Sequence, residues 1–267
     1  VAEEAREDAP DTVLGYYQKR TPMDTQTHVV LADHQYGDHD QRAIACAVNV
    51  AEEAGPDCIW LDGDVLDCGR LSNFRDRQVH IRLKKELQFA FQHFEELRRR
   101  FPGARIIYKP GNHDFRIPLQ LLTGNAYEFG DLEEMSLPRL LHLADYGIEY
   151  AEGRSLIGRG RISIKHGSRF GMHPAINELR DEGRSGSSGH AHKTQTYVST
   201  FPGQRPTVWM NIGCLCNLSP SYAKWDAKNL HHNHGLGVIT INGAIQGFEN
   251  VVIHRGKCLF RGKVVTV

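Results

Sequence analysis

Four apolar segments of the chain run into residue types that bind metal ions. "VVLAD" ends at Asp33, "CIWLDGDVLD" supplies Asp62, Asp64 and Asp67, "IIYKPGNHD" supplies Asn112, His113 and Asp114, and "RISIKHG" ends at His166. A fifth segment, "SSGHAH", places His190 and His192 two positions apart. Glycine recurs beside these residues, and a glycine after a strand permits the sharp turn that aims a ligand at a cation. Taken singly, an Asp or His after a strand also serves as a solvated loop or helix-cap residue. Together, and in this order, they describe a site of mixed oxygen and imidazole donors, a set suited to Mn, Fe, Zn or Ni rather than to an all-oxygen Ca or Mg site.

The elements that must position these residues are predicted from hydrophobic period and turn signals. Residues 1–27 read as a polar peripheral arm whose short helix ends at Thr21-Pro22, and a start without Met reads as processed or trimmed. Residues 28–267 read as the main domain. Its first half alternates strand "THVVLAD", helix "DQRAIACAVNVAEEAG", strand "DCIWLDGD", a long helix from about Asp76 to Arg100, and strand "ARIIYKPGNHD". In the long helix Leu83, Leu87, Phe91 and Phe94 form a core-facing stripe. Short helices follow between Phe115 and Gly147. From Ser155 the pattern turns to β, with candidate strands "RISIKHG", "TQTYVST", "PTVWMNIG", "LGVITING", "IQGFENVVIH" and "CLFRGKVVTV". The expected architecture is α/β, with two facing sheets and helices outside.

The ordered series Asp33-His34-Gln35, Gly63-Asp64-Val65-Leu66-Asp67, Gly111-Asn112-His113-Asp114, His166-Gly167 and Gly189-His190-Ala191-His192 resembles the calcineurin-like metallophosphoesterases. Their motifs run D-x-H, G-D-x-x-D, G-N-H-[DE], H-G and G-H-x-H, and the glutamine in the first motif resembles phage and bacterial-type members. The resemblance spans Val29 to about Gly247. It implies a four-layer α-β-β-α sandwich of two facing mixed sheets flanked by helices. It also implies two divalent cations, Mn first, with Fe, Zn, Ni or Mg as alternatives. One would be held by Asp33, Gln35, Asp64 and His192, the other by Asp64, Asn112, His166 and His190, with Asp64 shared. The implied reaction is in-line hydrolysis of a phosphate ester by a hydroxide bridging the cations, with His113 protonating the leaving oxygen and Asp67 orienting that imidazole. Asp62 and Asp114 are expected to be structural. Strand alternation would point Asp33 and Gln35 to one side and His34 to the other, so that an amide oxygen replaces an imidazole and shifts the first site toward Mn.

Phosphoprotein phosphatases of this superfamily carry G-D-x-x-D-R-G, but Cys68 stands where that arginine would be. Arg70, Arg116 and Arg169, each just after a motif, are the candidates for a replacement phosphate grip, and His39 and His173 for further substrate contacts. "HHNHG", with His231, His232 and His234, matches no motif and reads as a solvent-exposed loop near the site. The six cysteines have no zinc-ribbon spacing and read as reduced thiols, mostly core, with Cys214-x-Cys216 the one spacing open to redox chemistry. Lys and Arg total 32 against 32 Asp and Glu, which indicates no bulk attraction to nucleic acid and leaves a local groove open. No apolar run approaches a membrane span and the N-terminus is no secretory signal, so a soluble cytoplasmic protein is expected. The expected substrate is a phosphodiester or nucleotide-type ester. The alternatives are a DNA exo- or endonuclease and a non-catalytic scaffold that keeps the fold.

Overall fold

The runs "VVL", "CIWL" and "IIY" are apolar at every position, as strands covered on both faces require. The computed structural model describes residues 25–72, 81–220 and 230–267 and builds these runs into adjacent parallel strands. In chain order the elements are β1 (Gln26–Leu31), α1 (Gln41–Ala54), β2 (Cys58–Asp62), α2 (Leu83–Arg100), β3 (Arg105–Lys109), α3 (Arg116–Leu121), α4 (Leu137–Leu140) and β4 (Ile148–Tyr150). Then come β5 (Ser155–Ile157), β6 (Ile162–Ile164), α5 (Pro174–Glu182), β7 (Ser185–Ser188), β8 (Gln195–Ser199), β9 (Thr207–Asn211), β10 (His234–Asn242), β11 (Ile245–Ile253), β12 (Lys257–Phe260) and β13 (Lys263–Thr266). One sheet has the order β11-β10-β1-β2-β3-β4, parallel from β1 to β4 with β10 and β11 antiparallel at one side. The other has the order β5-β6-β7-β9-β8, with a parallel centre and antiparallel edges.

Alternation along the strands divides the interior into layers. Val29 and Leu31 face α1 and α2 in one core, together with Ala47, Val48, Phe94 and Leu97. Val30, Trp60 and Ile107 face the opposite way and meet Ile162, Ile164, Met210 and Ile212 of the second sheet. On that sheet's outer face Trp209 packs against Ala175 and Leu179 of α5. The order of layers is therefore α-β-β-α, as expected. Helix α1 starts where Asp40 accepts hydrogen bonds from the Arg42 and Ala43 amides, and ends at Gly55 in the left-handed region. No described helix is long and apolar enough to cross a membrane.

Several boundaries differ from the sequence reading. Helix α2 begins at Leu83, because Arg82 is extended, and residues 76–80 of the predicted helix lie outside the described residues. Its buried face is Glu86, Ala90, His93, Phe94 and Leu97, while Leu83, Leu87 and Phe91 are only partly covered. Hydropathy hides this face because two of its members are polar. Glu86 is there because its carboxylate receives the Cys68 amide at 2.7 Å and ties α2 to the loop after β2. The predicted last strand is a hairpin, β12 and β13, turned at Arg261 (φ 47°) and Gly262 (φ 81°), two left-handed residues that suit a tight hairpin turn. Strand β7 is Ser-Gly-Ser-Ser, which has weak strand propensity and is ordered by burial between β6 and β9. Helix α5 was also absent from the sequence reading, although Pro174 in its first turn and left-handed Gly183 at its end are the usual start and stop signals. Of the predicted arm, Gln26 and Thr27 already belong to β1, and residues 1–24 lie outside the described residues.

Ile107 is fully buried where the two sheets meet. Ile107→Ala should lower unfolding free energy by about 2–5 kcal/mol in urea titrations. A loss well below about 1 kcal/mol would show that the sheets do not share a tightly packed core there.

Candidate metal centre

The motif residues gather where β1, β2, β3, β6 and β7 end side by side. Backbone hydrogen bonds weld the turns together: Asp33 N donates to Gly63 O (3.0 Å), Gln35 N to Asp64 O (2.9 Å) and Tyr36 N to Val65 O (2.8 Å). Asp114 adds a side-chain clamp, its carboxylate accepting from the Gly111 (2.8 Å) and Leu66 (3.0 Å) amides. Burial and this clamp join the third motif to the second, a structural task. Asp62 is fully buried, and its backbone carbonyl lies 2.8 Å from His166 Nδ1, which orients the ring. Burial raises the Asp62 carboxyl to about 7, although Lys109 and His166 oppose the shift.

One group centres on Asp64. His166 Nε2 lies 3.2 Å from Asp64 Oδ2, and Asn112 Oδ1 stands 3.3 Å from His166 Nε2 and 2.9 Å from His190 Nδ1. Asp64, His166 and His190 each offer a ligand atom within 4.8 Å of the others. A second group centres on Asp33, with His192 Nε2 3.2 Å from Asp33 Oδ1 and 3.3 Å from the Gln35 amide nitrogen. The groups touch, since the His190 amide donates to Asp33 Oδ2 at 2.9 Å. Burial favours a protonated Asp64, but the neighbouring His166 and His113 reverse this and hold its carboxyl below the ordinary range. Burial likewise disfavours charge on His192, yet Asp33, with Cys214 and Asp64 behind it, raises the imidazole to about 9. His166 is raised in the same way by Asp64, whereas burial and His166 lower His190.

These residues fit a cation on three counts. Asp33 Oδ1 is buried, with the His192 ring as an ion-pair partner at 3.2 Å and no contact of hydrogen-bond geometry. The donors are carboxylate, amide and imidazole, the set that holds transition-metal ions. Third, Asp33 (φ 54°), Gln35 (φ 46°), Asp64 (φ 50°), His190 (φ 66°) and His192 (φ 56°) all have left-handed backbones. Each such residue costs on the order of 1–3 kcal/mol, a strain that persists where it aims side chains at a shared point. Glycine removes the obstruction around them: a Cβ on left-handed Gly63 would run into the His166 ring, and one on Gly189 would press on Asp33 Oδ2.

Gln35 therefore stands beside His192, while His34 is fully buried with its ring 5.1 Å from that of His93. The cause is not the pleat expected from the sequence. Residues 32–35 lie beyond β1, and left-handed turns at positions 33 and 35 set the directions. His113 is half-buried at the edge of the cluster, with Nδ1 2.9 Å from the Asp67 carbonyl oxygen and 3.3 Å from Asp67 Oδ1, and Nε2 3.9 Å from Asp64 Oδ2. Burial lowers its basicity, but Asp64 and the Asp67 contact raise it above the ordinary value overall.

Of the other candidates, Arg116 donates to the same Asp67 carbonyl at 2.8 Å, which places it beside His113. Arg70 is exposed on the turn after β2. Arg169 is drawn 2.6 Å from Asp181, His39 packs its ring on Tyr36 and Phe89, and His173 is exposed just before α5. The histidine run is not the exposed loop expected. Only His231 is exposed, whereas His234 is buried at the start of β10 and half-buried His232 lies edge-on to His192 at 4.7 Å. Burial on β10 and against His192 explains the difference. Sequence reasoning also missed how near Cys214 and Cys216 come to His192. Their C-x-C spacing was the available signal.

In the metal-free chain the contact of protonated His192 with Asp33 stabilises the fold fully below the ordinary value of 6.5 and is lost as pH rises through about 9. Urea unfolding of the metal-stripped protein should show stability falling across that window, and His192→Gln should flatten the fall. An unchanged slope in the variant would remove His192 as the titrating group.

No protein-family model matches the chain, and no curated protein matches it. Among solved structures it is similar to vacuolar protein sorting 29 from Cryptosporidium parvum, at 13% identity, covering 91% of this chain and 96% of that one with a TM-score of 0.43. At that score and identity no residue role is taken from the likeness.

Proposed function

We propose that the chain is a dinuclear, metal-dependent phosphoesterase of the calcineurin-like type that its motifs resemble, acting on phosphodiesters or nucleotide-type esters. The observation that carries this proposal is His113, held by Asp67 at the edge of a buried carboxylate and imidazole cluster. Asp33, Gln35, Asp64 and His192 would hold one cation and Asp64, Asn112, His166 and His190 the other. Divalent cations at these residues, Mn foremost, supply an acidified water and offset charge on the phosphoryl oxygens.

The chain's own groups do the rest. His113 Nδ1 is engaged by the Asp67 carbonyl, which leaves Nε2 to carry the proton handed to the departing ester oxygen. Asp64, 3.9 Å from Nε2, favours the protonated imidazole that this step consumes. Arg116 fixes the same carbonyl and stands on the leaving-group side, where a guanidinium can grip a phosphoryl oxygen. Cys68 in place of the protein-phosphatase arginine argues for small or nucleotide-type esters over phosphoproteins.

Bis-p-nitrophenyl phosphate, p-nitrophenyl phosphate, cyclic nucleotides and single- and double-stranded DNA, each assayed with Mn, Ni, Zn and Mg, test the proposal. Hydrolysis of the small esters that chelation abolishes and Mn restores is expected. Cleavage of DNA alone would favour the nuclease, and no hydrolysis under any metal would overturn catalysis in favour of a scaffold. His113→Ala should keep its metal content and lose roughly 10²–10⁴-fold on poor leaving groups, with a smaller loss on activated aryl esters. Equal losses on both would make His113 a ligand or a positioning group.

Gln35→His should raise affinity for Zn, Ni and Fe relative to Mn, since imidazole is the softer donor, while His34→Gln should leave metal content unchanged. Calorimetric titration of the metal-stripped variants measures both. Loss of a site in His34→Gln alone would make His34 the ligand.

A further inference from the structure

His192 offers its two ring nitrogens to different surroundings. Nε2 faces Asp33 and Gln35, whereas Nδ1 lies 3.7 Å from Cys216 Sγ. Cys214, one residue removed along the chain, brings a second thiol. The two Sγ atoms and an imidazole nitrogen of His192 all fall within 4.8 Å of one another, and all three residues are buried. Tetrahedral zinc, with bonds of about 2.3 Å to sulfur and about 2.0–2.1 Å to nitrogen, places those two donors about 3.6 Å apart. The observed 3.7 Å matches that spacing for this pair.

His232 stands beside this group without belonging to it. The His232 ring is edge-on to His192 at 4.7 Å, and its Nδ1 is buried with no hydrogen-bond partner. The loops that carry these groups are tied by backbone bonds. Cys214 N donates to Asn233 O (3.0 Å), Asn233 N to His192 O (2.9 Å) and Leu215 N to Asp33 O (3.0 Å). His234 Nε2 adds a contact to Cys216 O at 2.8 Å. The donors are thus held in place before any ligand arrives, as a selective site requires.

We infer that Cys214, Cys216 and His192 form a binding site for a soft cation of the zinc class, on the opposite edge of the His192 ring from Asp33 and Gln35. Two thiolates select zinc, cadmium or copper(I) over Mn, and binding releases to solvent the two thiol protons and the proton on His192 Nδ1. The three buried donors tie the loop after β7 to the loop after β9. The site shares His192 with the first proposed cation site, yet sulfur ligation can be observed whatever the chain hydrolyses.

Cobalt(II) added to the metal-stripped full-length chain under reducing conditions reports sulfur ligation through a thiolate-to-cobalt charge-transfer band in the near ultraviolet. The band is expected in the natural sequence and in Cys58→Ser, a buried cysteine on β2, and should disappear in the Cys214→Ser/Cys216→Ser double variant. Zinc should displace it and Mn should not. Absence of the band in the folded natural chain, or its persistence in the double variant, would overturn the site. Should the double variant not fold, zinc-edge X-ray absorption of the natural chain decides, with two sulfur neighbours expected and a shell of nitrogen and oxygen alone overturning the inference.

Discussion

The fold is organised around bringing buried carboxylates face to face with buried imidazoles. Asp33, Asp64, His166 and His192 are each less than a tenth exposed, and an isolated charge so far from water is strongly disfavoured. Each is tolerated because a group of opposite character lies at 3.2 Å, Asp64 opposite His166 and Asp33 opposite His192. Without metal the imidazoles supply the positive charge by holding protons, which is why His166 and His192 are raised despite burial. A cation held at the same place would take over that role, and protons and metal would then compete for one set of donors.

That concentration constrains everything beneath it. Turns from five strands must approach one another within hydrogen-bond distance, so within each sheet the strands have to be parallel neighbours that end at one level. The sheet order places β1, β2 and β3 side by side, and the second sheet presents β6 and β7 across the dry layer of Val30, Trp60, Ile164 and Met210. Left-handed backbone at five ligand-type residues is the local cost, on the order of 1–3 kcal/mol each, and rigid packing below keeps those turns from relaxing. The same turns then set which histidines face the cleft. His34 lies between two of them and points into the helix-side core, where His93 and Tyr36 surround it.

His192 stands at the junction of two chemistries. Its Nε2 belongs to the oxygen-rich cluster and its Nδ1 to a thiol pair, so anything bound on one edge of the ring alters the electron density available on the other. Asp67 forms a comparable junction, since its carbonyl oxygen takes contacts from the His113 and Arg116 side chains.

The strands and the ligand-type residues at their ends could be read from the sequence because both are local signals: apolar runs of strand length, then Gly beside Asp, Asn or His. The layer order followed from the switch between alternating strand and helix in the first half and strand alone in the second. Strand β7 could not be read, because Ser-Gly-Ser-Ser becomes a strand only through its neighbours, and the buried face of α2 was hidden because Glu86 and His93 sit there for polar reasons. Cys214 and Cys216 on one loop and His232 on another reach His192, and the C-x-C spacing pairs the thiols without encoding which histidine they meet. The sequence by itself determined which elements form and which side chains are offered at their ends, since these depend on neighbouring residues. Only the tertiary structure decided the backbone handedness at Asp33 and Gln35, the nitrogen each histidine presents and the thiols behind His192, because those depend on contacts between segments far apart in the chain.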